Sequence, residues 1–127
     1  MPARILVVED DLLNRMFYHE VLESRGYEAQ LVADVALVMD EVARFRPQLI
    51  TMDIQLPHVS GLRLIRRLRE DEETRDTLVI AITAFAGKGE EERAMAAGAS
   101  AYLSKPVTVE KLSRTIADML PVLPSEE

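Results

Sequence analysis

Three carboxylates and one lysine in this chain stand where chemistry could be done, each at the end of a short apolar run. Glu9 and Asp10 follow Ile5-Leu6-Val7-Val8, Asp53 closes Leu49-Ile50-Thr51-Met52, and Lys105 follows Tyr102-Leu103-Ser104. Thr83 closes a fourth run that begins at Leu78. Were these ends brought to one edge, the carboxylates would crowd together. At an effective dielectric near 20, each like-charge pair about 4 Å apart costs on the order of 4 kcal/mol, so the cluster needs protonation or a cation. Hard oxygen ligands favour Mg²⁺, which keeps several waters and accepts carboxylates together with a phosphoryl oxygen. Lys105 would supply a second positive charge. Taken singly, each residue has a plainer reading: Asp53 as a cap for the next segment, Thr83 as a strand terminator, Lys105 as a surface lysine. Their joint placement argues against it.

The elements that must position these residues are legible as an alternation. Apolar runs suited to buried strands exchange five times with stretches of helical period, the pattern of a parallel sheet covered on both faces. The strands read as Arg4–Val8, Glu28–Val32, Leu49–Asp53, Leu78–Thr83 and Ala101–Ser104. Val35, Val38, Val42 and Phe45 form one apolar stripe, and Val109, Leu112, Ile116 and Met119 repeat its spacing. Gly26 follows the first helix, Pro47 stops the second and Gly98 stops the fourth, while Asp11, Asp34 and Thr108 read as N-caps. The fourth helix is the weakest, with Gly87 and Gly89 at its start and an apolar face of alanines and Met95, and it is expected to be the most mobile. The fold class is thus α/β, a doubly wound five-stranded parallel sheet with five helices. In the flavodoxin-like order 2-1-3-4-5, the first and third strands are central neighbours, and Glu9, Asp10 and Asp53 converge at the carboxyl edge, where ligands collect.

Composition narrows the function. The 127 residues match one domain, read as residues 1–121 with a short acidic tail at 122–127. A formal net charge of −7 argues against gripping nucleic acid or an anionic membrane surface. The cluster Arg63, Arg66, Arg67 and Arg69 reads as a solvated helix face opposite Leu62, Ile65 and Leu68. No stretch approaches the roughly 20 apolar residues of a membrane span, and no signal-peptide core is present, so a cytoplasmic location is expected. With no cysteine, thiolate metal sites and thiol nucleophiles are excluded. His19 and His58 have no carboxylate or histidine partner at ligand spacing and read as solvated or structural. Gly87-Lys88-Gly89 lacks the other positions of either phosphate-binding glycine fingerprint. An aspartate-based phosphatase would want a second aspartate where Gln55 stands.

Val7-Val8-Glu9-Asp10-Asp11, Met52-Asp53-Ile54-Gln55-Leu56-Pro57, Ser60-Gly61, Thr83-Ala84 and Tyr102-Leu103-Ser104-Lys105-Pro106 occur in the order and spacing of a known family. Over nearly its whole length the chain resembles the receiver domains of two-component response regulators. Within that family it is most similar to a single-domain regulator of cell division, through Val8 to Asn14, Asp53 to Pro57 and Thr83 to Ala86. The resemblance implies a phosphorelay switch rather than a turnover enzyme, a protein that assists its own phosphorylation and dephosphorylation. Asp53 would accept a phosphoryl group from a phosphohistidine on a histidine kinase or histidine phosphotransfer protein. Asp10, Glu9, Asp53 and the backbone carbonyl of Gln55 would hold Mg²⁺, with Glu9 binding directly or through water. Lys105, held by a cis bond to Pro106, and Thr83 would contact the phosphoryl oxygens. Tyr102 would swing inward as Thr83 moves, re-posing the face of helix 4, strand 5 and helix 5 for a downstream protein effector. Many members carry aspartate where this chain has Glu9. The competing reading is a pseudo-receiver adaptor that binds partners without phosphorylation; such a protein would be expected to have lost Asp53, Thr83 or Lys105.

Overall fold

The structure, a computed structural model, describes residues 2–57, 59–84, 87 and 89–120. His58, Lys88 and the expected 122–127 tail therefore lie outside the described residues. Strands β1 (Arg4–Val8), β2 (Glu28–Val32), β3 (Leu49–Asp53), β4 (Leu78–Thr83) and β5 (Ala101–Ser104) alternate with helices α1 (Leu12–Ser24), α2 (Val38–Phe45), α3 (Gly61–Glu70), α4 (Glu90–Ala97) and α5 (Val109–Met119). The sheet is parallel throughout, in the order β2-β1-β3-β4-β5. All five strands carry the bounds expected from the sequence.

Side chains alternate across each strand, and the alternation divides the core in two. Leu6 and Val8 of β1, Ile50 and Met52 of β3, and Val79 and Ala81 of β4 pack with α2, α3 and α4. Ile5, Val7, Leu49, Ile80, Ile82 and Leu103 face the other way, against Tyr18, Val21 and Leu22 of α1 and Leu112 and Ile116 of α5. Continuing the same alternation places Asp53 on the α1–α5 side with Leu49, and Thr83 on the opposite side with Val79 and Ala81. The strand period thus sorts the candidate functional residues before any loop is considered.

Helix ends follow their side chains. Asp11 and Thr108 accept the N–H groups of Asn14 and Lys111, and Ser60 that of Leu62. Gly98 ends α4 at φ +118°, a left-handed backbone that favours glycine. Several details depart from the helical reading of the sequence. The stripe that begins at Val35 starts as a 3-10 turn, Val35–Leu37, capped by Asp34. Its end is made by Arg46 at φ +52°, a left-handed non-glycine residue whose backbone carbonyl accepts hydrogen bonds from the Arg4 side chain. Met95 and Val109 are exposed rather than core. Arg69 leaves the solvated face of α3: its guanidinium donates to the carbonyls of Gly98, Thr74 and Arg75, tying α3 to the end of α4. His19 does have a carboxylate neighbour, Glu23 at 3.6 Å on the surface of α1.

Gly61 is the glycine on which the site's geometry depends. A Cβ there would sit 2.5 Å from the carbonyl oxygen of Asp53 and 2.7 Å from Cα of Ile54, backbone atoms that cannot swing aside. Gly61→Ala should therefore destabilise the protein by about 1–3 kcal/mol in urea unfolding. Gly87→Ala, where an added Cβ meets nothing within 4 Å, should change stability by about 0.5 kcal/mol or less. Equal midpoints for Gly61→Ala and the wild type would show that the α3 entry is not packed as described.

Candidate functional site

Parallel strands that start together end together, so the carboxyl ends of β1, β3 and β5 bring their following residues to one mouth. Glu9 leaves β1 with its N–H donating to the Val32 carbonyl, and is 1% exposed. Asp53 closes β3 and is 3% exposed. Asp10 projects into solvent at the rim. One carboxylate oxygen from each of the three lies within 4.8 Å of the others. The sequence-based convergence of Glu9, Asp10 and Asp53 is therefore present in space.

Lys105 enters from the β5–α5 connection. Its Nζ stands 3.2 Å from Asp53 Oδ2 and 3.3 Å from Glu9 Oε1. The contact with Asp53 is a hydrogen bond. The approach to Glu9 has ion-pair distance without hydrogen-bond alignment, so Glu9 Oε1 is a buried carboxylate oxygen with no hydrogen-bond donor among the described residues. Burial above all, and then the negative charge of Asp53, raise the Glu9 carboxyl above its ordinary value, while the Asp11 N–H and Lys105 pull it back only in part. For Lys105, burial alone would lower the ammonium; the attraction of Asp53 and Glu9 outweighs it and the net shift is upward. The lysine is therefore cationic at neutral pH, and one ammonium faces three carboxyl groups.

The remaining oxygens are held by backbone. Asp53 Oδ1 accepts the Gln55 N–H at 2.9 Å, a short-range turn closure typical of aspartate. Glu9 Oε2 accepts the Asp11 N–H at 3.1 Å. The peptide bond between Lys105 and Pro106 is cis, and the Lys105 N–H donates to the Thr83 carbonyl at 2.8 Å. Thr83 is fully buried at the end of β4 and Tyr102 is half-buried on β5, packed against the α2–α3–α4 core. These two stand together on the face of the sheet opposite Asp53.

Three side-chain roles near the site were not singled out by sequence reasoning, which named Gln55 for its backbone carbonyl alone. Arg15, one turn into α1, donates from Nη1 to the carbonyls of Glu9 and Asp10 at 3.1 and 2.9 Å, bracing the acidic turn. Tyr18 lies buried beside the cluster, and its phenol is pushed up by burial first and then by the charges of Glu9 and Asp53. The Gln55 side chain spans to Ala84 and Glu90. A basic residue one turn beyond a helix cap was the available signal for Arg15; nothing local marks the other two.

The donor set suits a hard divalent cation. Among the described residues it offers three carboxylates, carries excess negative charge, and includes a buried Glu9 oxygen with no hydrogen-bond donor, which a cation would satisfy. Small spherical Mg²⁺ fits this chemistry better than a soft metal, since the candidate ligands that cluster among the described residues are all carboxylates.

Comparison with known proteins gives the same picture. Residues 5–117 match the family model described as response regulator receiver domain. The polar-differentiation response regulator DivK of Brucella anthropi is 43% identical over 120 residues, spanning 94% of this chain and 98% of that protein. DivK of Brucella abortus is 42% identical over the same shares. The receiver domain of sensor histidine kinase PA1611 from Pseudomonas aeruginosa, whose crystal structure has a magnesium ion coordinated in the active site cleft, superposes with a TM-score of 0.84 at 35% identity, covering 93% of this chain and 97% of that one. The chemotaxis protein CheY4 of Vibrio cholerae shares the fold, with a TM-score of 0.89 at 24% identity over 94% and 100% of the two chains. With its strand order, its acidic mouth and this near-complete coverage, the chain belongs to the response regulator receiver domain family.

Proposed function

We propose that this protein is a phosphorelay switch in which Asp53 accepts a phosphoryl group from a phosphohistidine, with control of the cell cycle or cell division as its setting. The observation that carries this reading is the buried Asp53 carboxylate paired with Lys105 and clustered with Glu9 and Asp10. An Asp53 oxygen would form the new P–O bond as the P–N bond to the donor imidazole breaks, the electron pair leaving with the ring nitrogen. Glu9, Asp10, Asp53 and the Gln55 carbonyl would hold Mg²⁺, which when bound neutralises charge on the transferring phosphoryl oxygens. Lys105, already paired with Asp53, would keep its ammonium on the oxygen that becomes esterified or on the phosphoryl group itself. Thr83 would donate its hydroxyl to the arriving group, and Tyr102, on the same face, would follow it. The effector would then read the surface of α4, β5 and α5. Leu12, Leu13 and Met16 of α1 are exposed beside the mouth, and Leu13 lines one groove with Lys105; exposed apolar side chains there suit a protein donor better than a free anion. The family setting comes from the DivK relatives, which are named for polar differentiation.

Intact-mass measurement after incubation with Mg²⁺ and a small acyl phosphate tests the acceptor. The wild type should gain one phosphoryl group, Asp53→Asn none, and Lys105→Ala should load about 10²-fold more slowly. A gain that survives Asp53→Asn, or no gain in the wild type, would favour a binding-only adaptor.

Thermal unfolding tests the cation. Mg²⁺ at tenfold its dissociation constant should stabilise the wild type by about 1.4 kcal/mol. Asp10→Asn should abolish that gain, whereas Asp11→Asn, a change at the helix cap, should keep it. Loss of the gain in both variants, or in neither, would refute the assignment of Asp10 as a ligand.

A further inference from the structure

The Gln55 carboxamide is engaged at both ends. Its Oε1 accepts the backbone N–H of Ala84 at 2.9 Å, and its Nε2 donates to Glu90 Oε2 at 3.5 Å. Its own N–H meanwhile donates to Asp53 Oδ1 at 2.9 Å. One residue thus touches the Asp53 carboxylate, the residue after Thr83 and the first residue of α4. The N-cap of α4 is Gly89, in a left-handed backbone with no side-chain cap, and the Glu90 N–H donates to the Gly87 carbonyl. Glu90 is gripped in turn by Arg93, 2.6 Å away. Burial, and then the charges of Glu90 and Glu91, raise the Tyr102 phenol, so Tyr102 shares the electrostatic neighbourhood of the same helix end.

We infer that the Gln55 side chain is a positioning residue: a clasp that holds Ala84 and the first turn of α4 in their unmodified places and is exchanged when Asp53 changes state. The inference rests on Asp53 being the phosphoacceptor. A neutral amide oxygen now holds the Ala84 N–H. Phosphoryl oxygens on Asp53, two residues away, are charged acceptors whose hydrogen bonds are roughly twice as strong, and they compete for the donors at this mouth. The same added charge repels Glu90, the carboxylate that Gln55 Nε2 holds. Both effects act on one side chain, so Ala84 and the first turn of α4 are released together. That gives a physical route from Asp53 to α4 independent of any movement of Thr83.

Amide hydrogen exchange followed by NMR on the full chain tests the clasp, with loading monitored by intact mass. Gln55→Met removes both side-chain hydrogen bonds at similar length. Gln55→Glu keeps an acceptor for Ala84 and sets a like charge against Glu90. In the unmodified protein, the Ala84 amide should exchange about fivefold faster in Gln55→Met than in the wild type. In Gln55→Glu it should stay near the wild-type rate, while the amides of Arg93 to Ala97 speed up in both variants. After loading with a small acyl phosphate to equal extent, the wild type should change at Ala84 and along α4, and Gln55→Met, already released, should change little. Equal Ala84 exchange in unmodified wild type and Gln55→Met, or an undiminished α4 response in loaded Gln55→Met, would overturn the clasp. Failure of the wild type to load at all would instead overturn the acceptor role of Asp53, and the clasp would stand or fall on the unmodified comparison alone.

Discussion

Two buried carboxylates held against a single lysine are the constraint from which the rest of this structure can be understood. Glu9 and Asp53 sit almost without solvent, and the Lys105 ammonium reaches both. Breaking such an arrangement leaves uncompensated charge in a poorly solvated place, which is far more costly than losing a surface pair. Yet the lysine does not balance the site, because Asp10 adds a third carboxylate and Glu9 Oε1 has no hydrogen-bond donor among the described residues. Such a site favours the uptake of positive charge.

The sheet makes this possible with few residues. Parallel strands joined by helical crossovers deliver all their carboxyl ends to one edge, and the two-residue period decides which face each side chain takes. Asp53 shares a face with Leu49, and Leu103 of β5 shares that face with them. Lys105 reaches Asp53 from two residues past Leu103. Thr83 and Tyr102 fall on the other face, where Tyr102 packs against the cluster that includes Ala94 and Ala97 of α4. Asp53 and the pair Thr83 and Tyr102 are thereby placed on opposite faces of one sheet. Gly61 completes the mouth by letting α3 start against the Asp53 carbonyl.

How much of this was legible in the sequence depends on what carries the information. Buried parallel strands are continuous apolar runs bounded by polar residues, and their limits and the clustering of Glu9, Asp10 and Asp53 follow from that pattern. Caps were equally plain, because Asp11, Asp34 and Thr108 act within a few residues of themselves. What stayed hidden is tertiary. The left-handed Arg46 is supported by an Arg4 side chain 42 residues away in sequence. Arg69 abandons its helical stripe for carbonyls on α4 and the α3–β4 connection. Met95 and Val109 fit an apolar period but lie beyond the edge of the surface their helices bury. The Gln55 side chain bridges elements 29 and 35 residues apart, a distance over which no local pattern speaks.

The central claim is that the acidic mouth is a divalent-cation site formed by segments from two strands. Soaking crystals of the protein with Mn²⁺ and computing an anomalous difference map examines it without reference to phosphorylation. The account predicts one strong peak within roughly 2.0–2.6 Å of carboxylate oxygens from Asp10 and Asp53, with Glu9 bound directly or through water. An empty mouth beside an occupied site elsewhere, such as the acidic run from Glu70 to Glu73, would contradict it.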